Sequence, residues 1–437
     1  MSTLAEVTLW GQTVGALLFN TDTGLATFEY SGDWVKQGLS ISPLHLPARA
    51  GKFNFPSLSR ETFYGLPGVF ADTLPDDFGN AVIDAWLARN GVAKSSFSPV
   101  DRLLYTGNRG MGALEYRPSM RNAQTQTSGD IKVDLLVELA QSVLDQRAGL
   151  DVALPGGDED RNAMSAIFQV GTSAGGARPK AVIALNHDRS RVVSGQTPTP
   201  KGFTHYLIKF DGVRERSSTS ELFGDPLGYG RMEYAYYLMA KAAGINMMPS
   251  ELLEEGGRAH FMTQRFDREG VHKRHYQSLC AMEHADFRKP GQYSYEELLA
   301  TARSLRLPRE DAIEIFRRMA FNVIARNQDD HTKNFGFILD SANADWRLAP
   351  AFDVAFSYKP GSFWVDTHQM TINGKRDGFN RADLLATAMS IGRFKAKASE
   401  IIDEVTEVVS HWEGFAEQAS VHGALTRKIQ SNLRLSL

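Results

Sequence analysis

The chain has a single cysteine, Cys280, in 437 residues. No internal disulfide can form, and a reducing compartment is expected. No apolar run approaches the roughly 18 to 20 residues needed to span a bilayer. The start, Met1 to Trp10, carries Glu6 and lacks a basic stretch followed by an apolar one, so no signal peptide is read. The expectation is a cytoplasmic protein with no membrane partner. Charge of one sign is also scarce: the formal net charge is -3, which gives no whole-molecule reason for nucleic acid as the main ligand. Neither G-x-x-x-x-G-K-[ST] nor G-x-G-x-x-G occurs, and no exact internal repeat is present. What is left is ordinary for a globular protein of two or three domains, with 42% apolar and 23% charged residues.

The most informative stretch is Asp329-Asp330-His331-Thr332-Lys333-Asn334, followed by the apolar Phe335-Gly336-Phe337-Ile338-Leu339. Phosphotransfer enzymes place a carboxylate and an amide five positions apart in this way. The Asp receives or orients the hydroxyl proton, and the Asn holds magnesium. A further carboxylate, Asp353, follows after one expected hairpin. The bland reading of Asp329, a loop residue after a helix, has to be weighed against what lies upstream.

Upstream, alternation about Gly11-Gln12 predicts a hairpin over Glu6 to Phe19, with a strand at Leu25 to Tyr30. Leu39 to Ser42 alternates again, and a helix is expected over Ala81 to Ala88. Gly107 to Gly112 reads as a turn that uses glycine for positive φ. The polar stretch Arg121 to Asp130 reads as a linker, and Ile131 to Val143 as a helix. The run Gly171-Thr172-Ser173-Ala174-Gly175-Gly176-Ala177-Arg178-Pro179-Lys180 lies between two strand patterns. Without bulky side chains, such a loop lets backbone N–H groups approach phosphate oxygens; a plain hairpin turn fits the pattern about as well. Lys209 is the one lysine within the apolar strand Tyr206 to Phe210, and either snorkels at an edge or meets a buried anion. Glu233, near the start of a helix over Met232 to Ala243, is a candidate ion partner for Lys209, although a surface glutamate is the commoner case. A hairpin over Leu252 to Gln264 comes next. Helices are then expected over Tyr295 to Ser304, Arg309 to Asn327, Ala382 to Met389 and Ala398 to Phe415.

His272, His275, Cys280 and His284 mimic a metal cluster in sequence, but their spacing fits no zinc pattern, and a core cysteine with surface histidines is expected. Arg393, Lys395 and Lys397 read as a solvated helix start rather than a DNA-facing surface.

A nucleotide phosphotransfer site needs a backbone cradle, a phosphate-binding lysine, a catalytic carboxylate and metal ligands. The chain supplies them in a kinase's order: the loop 171–176, Lys209, a linker near 264–266, Asp329 with Asn334, then Asp353. With these motifs in place, the chain resembles the HipA family, the serine/threonine-kinase toxins of bacterial toxin–antitoxin pairs. The segments that carry the resemblance are Ala177-Arg178-Pro179-Lys180, Arg265-Phe266-Asp267-Arg268 and His331-Thr332-Lys333-Asn334-Phe335, with Leu39 to Leu44 and Leu74-Pro75-Asp76 nearer the start.

The resemblance implies an α+β, protein-kinase-like fold: an added β-rich N-terminal subdomain over 1–125, an α/β domain over 126–262 and an all-helical lobe over 263–437. ATP and Mg2+ would be the cofactors, the nucleotide lying between the α/β and helical halves. Asp329 would be the catalytic base, His331 would support its loop, and Asn334 with Asp353 would hold magnesium. Gly171, Thr172, Ser173, Ala174, Gly175 and Lys209 would meet the phosphates, and the backbones of Gln264 and Phe266 the adenine. Ser173 would be an autophosphorylated off switch, because a phosphate of about -1.5 to -2 charge repels ATP from that loop. The partners implied are a HipB-like antitoxin that carries the operator-DNA contact and a protein substrate of the aminoacyl-tRNA synthetase class, glutamyl-tRNA synthetase being the type. Two departures stand out. Asp330 occupies a position where better-known members have glycine, leaving two adjacent aspartates, and Gln264 replaces a more usual glutamate. A corepressor scaffold without activity and a small-molecule kinase are the rival readings.

Overall fold

The structure, a computed structural model, describes residues 2–118 apart from 76 and 90, residues 132–141 apart from 135 and 139, residues 179–213 apart from 196–198, and residues 227–437. The chain divides into two compact units. The first holds Met1–Ser42, Leu46–Gly230 and Glu251–His275; the second holds Pro43–His45, Arg231–Ser250 and Tyr276–Leu437.

Among its described residues, the first unit contains two five-stranded sheets. In the first sheet, β1 (Ser2–Leu9) and β2 (Gln12–Asn20) form the expected hairpin, with Trp10 and Gly11 at φ 50° and 78° in the turn. It continues through β3 (Leu25–Tyr30) to β4 (Lys52–Phe53) on one side and adds β5 (Leu114–Arg117) on the other. Period-2 alternation sends Ala5, Val7 and Leu9 inward, where Leu17, Phe28 and Phe70 meet them in the core. Ahead of β5 the helix Pro99–Thr106 begins with a capping box: Ser98 Oγ accepts from the Asp101 N–H, and Asp101 accepts from the Ser98 N–H. The signature was legible as Ser98-Pro99-x-Asp101, yet sequence reading passed over it. Gly107 and Gly112 of the following turn do take positive φ, 61° and 76°.

Leu39 to Ser42, expected as alternating strand, is not one. Only Ser42 forms an isolated bridge, to Leu46. The reason is local: the Ile41 N–H donates to the Tyr30 hydroxyl and Ser40 Oγ accepts from the Ala48 N–H, so side chains take the place of a ladder partner.

In the second sheet the order is β7 (Val192–Ser194), β6 (Lys180–Asn186), β8 (Phe203–Lys209), β10 (Arg258–Gln264), β9 (Ser250–Glu255). Its two faces differ in chemistry. Ala181, Ile183, Leu185, Ile208, Phe210 and Met262 pack with Phe78, Val82, Leu136 and Val137 into one core. The alternate positions of the same strands carry Lys180, Lys209 and Phe261, with Lys180 opposite Lys209 and Phe261 opposite Lys209 in register.

Beyond β10, where the short β11 (Arg268–Glu269) and β12 (His272–Lys273) pair antiparallel, a buried ionic cluster ties the strand end to the turn at 110–112. The Asp267 carboxylate accepts from Arg265 (2.6 Å), Arg268 (2.7 Å) and the Gly112 N–H (2.8 Å). Arg268 in turn donates to the carbonyls of Gly110 and Gly112. Burial alone would raise the Asp267 pKa; the Arg265 and Arg268 charges override it and hold the carboxyl well below the usual carboxylate range.

Two histidines of this unit are folded in neutral form. Burial lowers His275 to about 4, and burial followed by the charges of Arg265 and Arg268 lowers His205 to about 4. Both pKa values lie below the ordinary 6.5, so between about pH 6.5 and 4 the unfolded chain binds more protons and stability falls with acid. Going from pH 7 to pH 5 should cost on the order of 1–2 kcal/mol per histidine. Denaturant melts at a series of pH values will show it, and a His275→Gln variant should have a flatter profile over that window. His275 Nε2 lies 2.8 Å from the Ile41 carbonyl, so it is a buried structural residue and not the surface histidine expected. Among the described residues, no group of three or more His, Cys, Asp or Glu side chains is placed to hold a metal ion.

The second unit is helical around a small three-stranded sheet of β13 (His275–Ser278), β14 (Gly336–Leu339) and β15 (Arg347–Leu348). The helix Arg309–Ile324 buries Ile315, Phe316, Met319, Ala320, Val323 and Ile324. It stops three residues earlier than its apolar pattern predicts. Arg326 takes φ 57°, and the Asn327 N–H reaches back to the Asn322 carbonyl in a Schellman-type end. No glycine advertised this stop. Arg326 is held in it because its Nε donates to the Asn432 carbonyl and its guanidinium lies 4.2 Å from the Tyr358 ring centroid. The single helix expected over 398–415 is two, Lys395–Ser410 and Trp412–Gln418, and the break lets Trp412 bury completely against Tyr236. At the start of the first, Lys397 pairs with Glu400 and Glu404, as a solvated helix face would.

Candidate active site

The early stop of helix Arg309–Ile324 releases the backbone into the loop 325–335, which returns as β14. Within it the two adjacent aspartates have opposite surroundings. The Asp329 side chain is 43% exposed and the Asp330 side chain 0%. Asp330 Oδ1 accepts from the Gln369 N–H at 2.8 Å, while Oδ2 accepts from the Tyr295 hydroxyl at 2.8 Å and faces His368 Nδ1 at 2.8 Å. The Tyr295 hydroxyl accepts from Asn322 Nδ2, and Asn322 Oδ1 accepts from Asn327 Nδ2. Burial, then the charge of Asp330, pushes the Tyr295 pKa well up, so the hydroxyl remains a donor. Asp330 is thus a buried side chain held by three hydrogen-bond partners, and Asp329 is the carboxylate open to solvent.

Asn334 is fixed by its amide nitrogen, which donates to the Asp329 carbonyl at 2.7 Å. That orientation leaves Oδ1, the atom a hard cation takes, as the amide's acceptor. His331 Nε2 lies 3.8 Å from Asp329 Oδ1, and its ring meets the Phe287 ring edge-on at 5.4 Å. Lys333 Nζ sits 4.7 Å from the same Phe287 ring centroid, so His331 and Lys333 brace the loop on one aromatic platform. Thr332 completes the pinning: its hydroxyl donates to the Ala285 carbonyl, and its own carbonyl accepts from the Cys280 N–H. Gly336 follows because nothing larger fits. A Cβ there would lie 2.4 Å from the Tyr276 ring.

Asp353 sits beyond β15, where the Ala351 N–H donates to the Asn246 carbonyl. Its φ of 55° is left-handed, a conformation that Asp and Asn tolerate better than other side chains. Asn334, Asp353 and Asp330 line one recess together with Phe335, Phe352 and Arg318. The two residues expected to hold the metal therefore line one hollow, although 19 positions separate them in sequence.

In the first unit, Lys209 is buried at the end of β8, with Nζ 5.8 Å from the Phe261 ring centroid. Lys180, directly opposite, is equally buried and was given no role from sequence. Its signal was the one used for Lys209, a lysine beside an apolar strand. Gln264 closes β10 opposite Tyr206, and the Phe266 carbonyl accepts from Arg274 at 2.9 Å. Glu233, in the second unit, is buried and not the surface residue that its place near a helix start favoured. Gly171, Thr172, Ser173, Ala174 and Gly175 lie outside the described residues.

Comparison with known proteins identifies the family of the chain. The HipA-like C-terminal domain family matches residues 172–412, more than half of the chain, and the HipA N-terminal domain family matches residues 5–117. The chain belongs to the HipA family. Among solved structures it is similar to the HipA of Shewanella oneidensis MR-1 in complex with HipB and operator DNA, with a TM-score of 0.59 and 17% identity over 98% of this chain and 99% of that one. The fold of the described residues is α+β and similar to that of HipA. The proinflammatory kinase CtkA of Helicobacter pylori gives a TM-score of 0.33 and 12% identity, over 59% of this chain and 93% of that one.

Proposed function

We propose that this HipA-family chain is an ATP- and magnesium-dependent protein kinase acting on serine or threonine, the toxin of a toxin–antitoxin pair. The observation that carries the reading is the loop 329–334. It presents one open carboxylate and, five residues on, an amide side chain that lines the same recess as Asp353. Asp329 orients the acceptor hydroxyl and takes its proton, and His331 and Asn334 keep Asp329 in place. The donor set suits magnesium, which takes hard oxygens from one or two side chains and completes its shell with phosphates and water. When bound, the ion would neutralise charge on the transferring phosphoryl group. Asn334 and Asp353 would hold it, and Lys209 and Lys180 would pair with phosphate oxygens. The backbone of 264–266 would receive the adenine, and Ser173 would serve as the off switch.

The partner in this reading is a HipB-like, DNA-binding antitoxin, as in the HipA–HipB–operator complex of the Shewanella relative. The protein substrate would be an aminoacyl-tRNA synthetase. The first test is purified protein with labelled ATP and magnesium, with and without cell lysate. Label should appear on the protein itself and on one principal substrate in the lysate. ATP binding without any transfer would overturn the reading in favour of a scaffold, and transfer to metabolites alone would make it a small-molecule kinase.

A further inference from the structure

The doubled aspartate has a consequence for the segment that follows Asp353. Asp330 is buried, and its acceptor bonds reach out of its own loop to Tyr295 on one helix and to His368 and Gln369 on the segment 359–376. That segment is folded upon itself around the same two residues. Arg376 Nε donates to the His368 carbonyl at 2.7 Å, the His368 N–H returns to the Arg376 carbonyl, and the Gln369 amide donates to the Trp364 carbonyl. The Gln369 carbonyl accepts from the Gly291 N–H. On the other side, the peptide that joins Asp330 to Asp329 is gripped by Asn334 through the Asp329 carbonyl. Hydrogen bonds thus join the segment 364–376 to the Asp330 side chain, the covalent backbone joins Asp330 to Asp329, and a further hydrogen bond joins the Asp329 carbonyl to Asn334.

We propose that Asp330 is a positioning residue: its carboxylate clasps the catalytic loop to the segment 364–376 and so fixes the direction in which Asp329 and Asn334 point. This rests on the kinase reading of the same loop. Kinases depend on the segment after the metal-binding aspartate being held in place, and many hold it with a phosphate paired to arginines. Here a buried side chain supplies the hold from within the chain, through the hydrogen bonds that its two oxygens accept. The clasp also explains why an aspartate is compatible with this position. The neighbouring segment offers a backbone N–H and an imidazole, and a glycine would leave both, together with the Tyr295 hydroxyl, without their acceptor.

A base and a clasp respond differently to the conservative substitution. In Asp330→Asn, Oδ1 can still accept from the Gln369 N–H, and Nδ2 can donate to His368 in its other tautomer and to the Tyr295 hydroxyl. In Asp330→Ala all three bonds are lost. The experiment measures kcat and KM for ATP in the parent, Asp330→Asn, Asp330→Ala and His368→Ala, each normalised to folded protein. It also measures hydrogen exchange across 364–376.

Asp330→Ala should lower kcat about 10- to 100-fold with KM for ATP changed less than about 3-fold, the signature of displaced rather than missing catalytic groups. Asp330→Asn should recover most of that loss, His368→Ala should fall between, and exchange at 364–376 should rise only where the clasp is cut. An Asp330→Asn enzyme as inactive as Asp330→Ala would make Asp330 a base and overturn the proposal. So would an Asp330→Ala or His368→Ala enzyme with parental kcat. If Asp330→Ala does not fold, His368→Ala and Asp330→Asn still decide between these outcomes. If the parent transfers no phosphate, the kinase reading fails by itself. The clasp is then judged by exchange alone, and unchanged protection of 364–376 in His368→Ala refutes it.

Discussion

Asp329→Asn is expected to lower phosphotransfer by about 10²- to 10⁴-fold, the range that a positioned general base contributes. The argument is one of access. Of the two adjacent carboxylates only Asp329 is open, with 43% of its side chain exposed, whereas all of Asp330 is enclosed. Asparagine keeps the size of the side chain and the main-chain carbonyl that Asn334 holds, so the loop should retain its shape. The melting temperature and the affinity for ATP should therefore stay close to the parent's while turnover is lost. Steady-state kinetics beside thermal melts will check this. A variant with parental turnover would remove Asp329 from catalysis and reopen the choice between the two aspartates.

The second large effect is expected at Asp353. Its φ of 55° makes alanine an ambiguous probe, since backbone strain would be mixed with loss of the carboxylate. Asp353→Asn tolerates the same conformation and removes only the charge. It should weaken magnesium-dependent nucleotide binding by at least about 10- to 100-fold, the loss seen when even the outer-shell partners of metal ligands are changed, and cut phosphotransfer at least as far. Binding of ATP without magnesium should change little. Calorimetric titrations of nucleotide at several magnesium concentrations will separate the two. If the variant keeps the parent's magnesium dependence, Asp353 is a structural turn residue, and the recess it shares with Asn334 has another use.

Much of this could be read along the chain, because the relevant signals are local. The hairpin β1–β2 follows from alternation around a Gly turn, Lys209 from one cation in an apolar strand, and the Asp329 to Asn334 spacing from six consecutive residues. The failures have a shared cause. The helix end at Ile324 is held by Arg326, whose left-handed backbone depends on Asn432 and Tyr358, remote in sequence and carrying no glycine signal. Leu39 to Ser42 alternates like a strand but gives its backbone groups to side chains. His275 looked like a surface residue until the Ile41 carbonyl was found beside it. Lys180 was passed over although it carried the same signal as Lys209; only the register of β6 on β8 pairs them.

The sequence by itself determined the inventory and order of chemical groups: a glycine-rich loop, a strand lysine, an Asp–Asn pair five residues apart and a later aspartate. Spacing within a loop is a covalent property, and it survives without knowledge of the fold. The tertiary structure decided what each group faces. Asp329 and Asp330 are neighbours with the same side chain, and no local pattern distinguishes their environments. Burial against Tyr295, His368 and Gln369 makes one an anchor and leaves the other open, because partners 35 to 39 residues away supply the hydrogen bonds that let a carboxylate leave water.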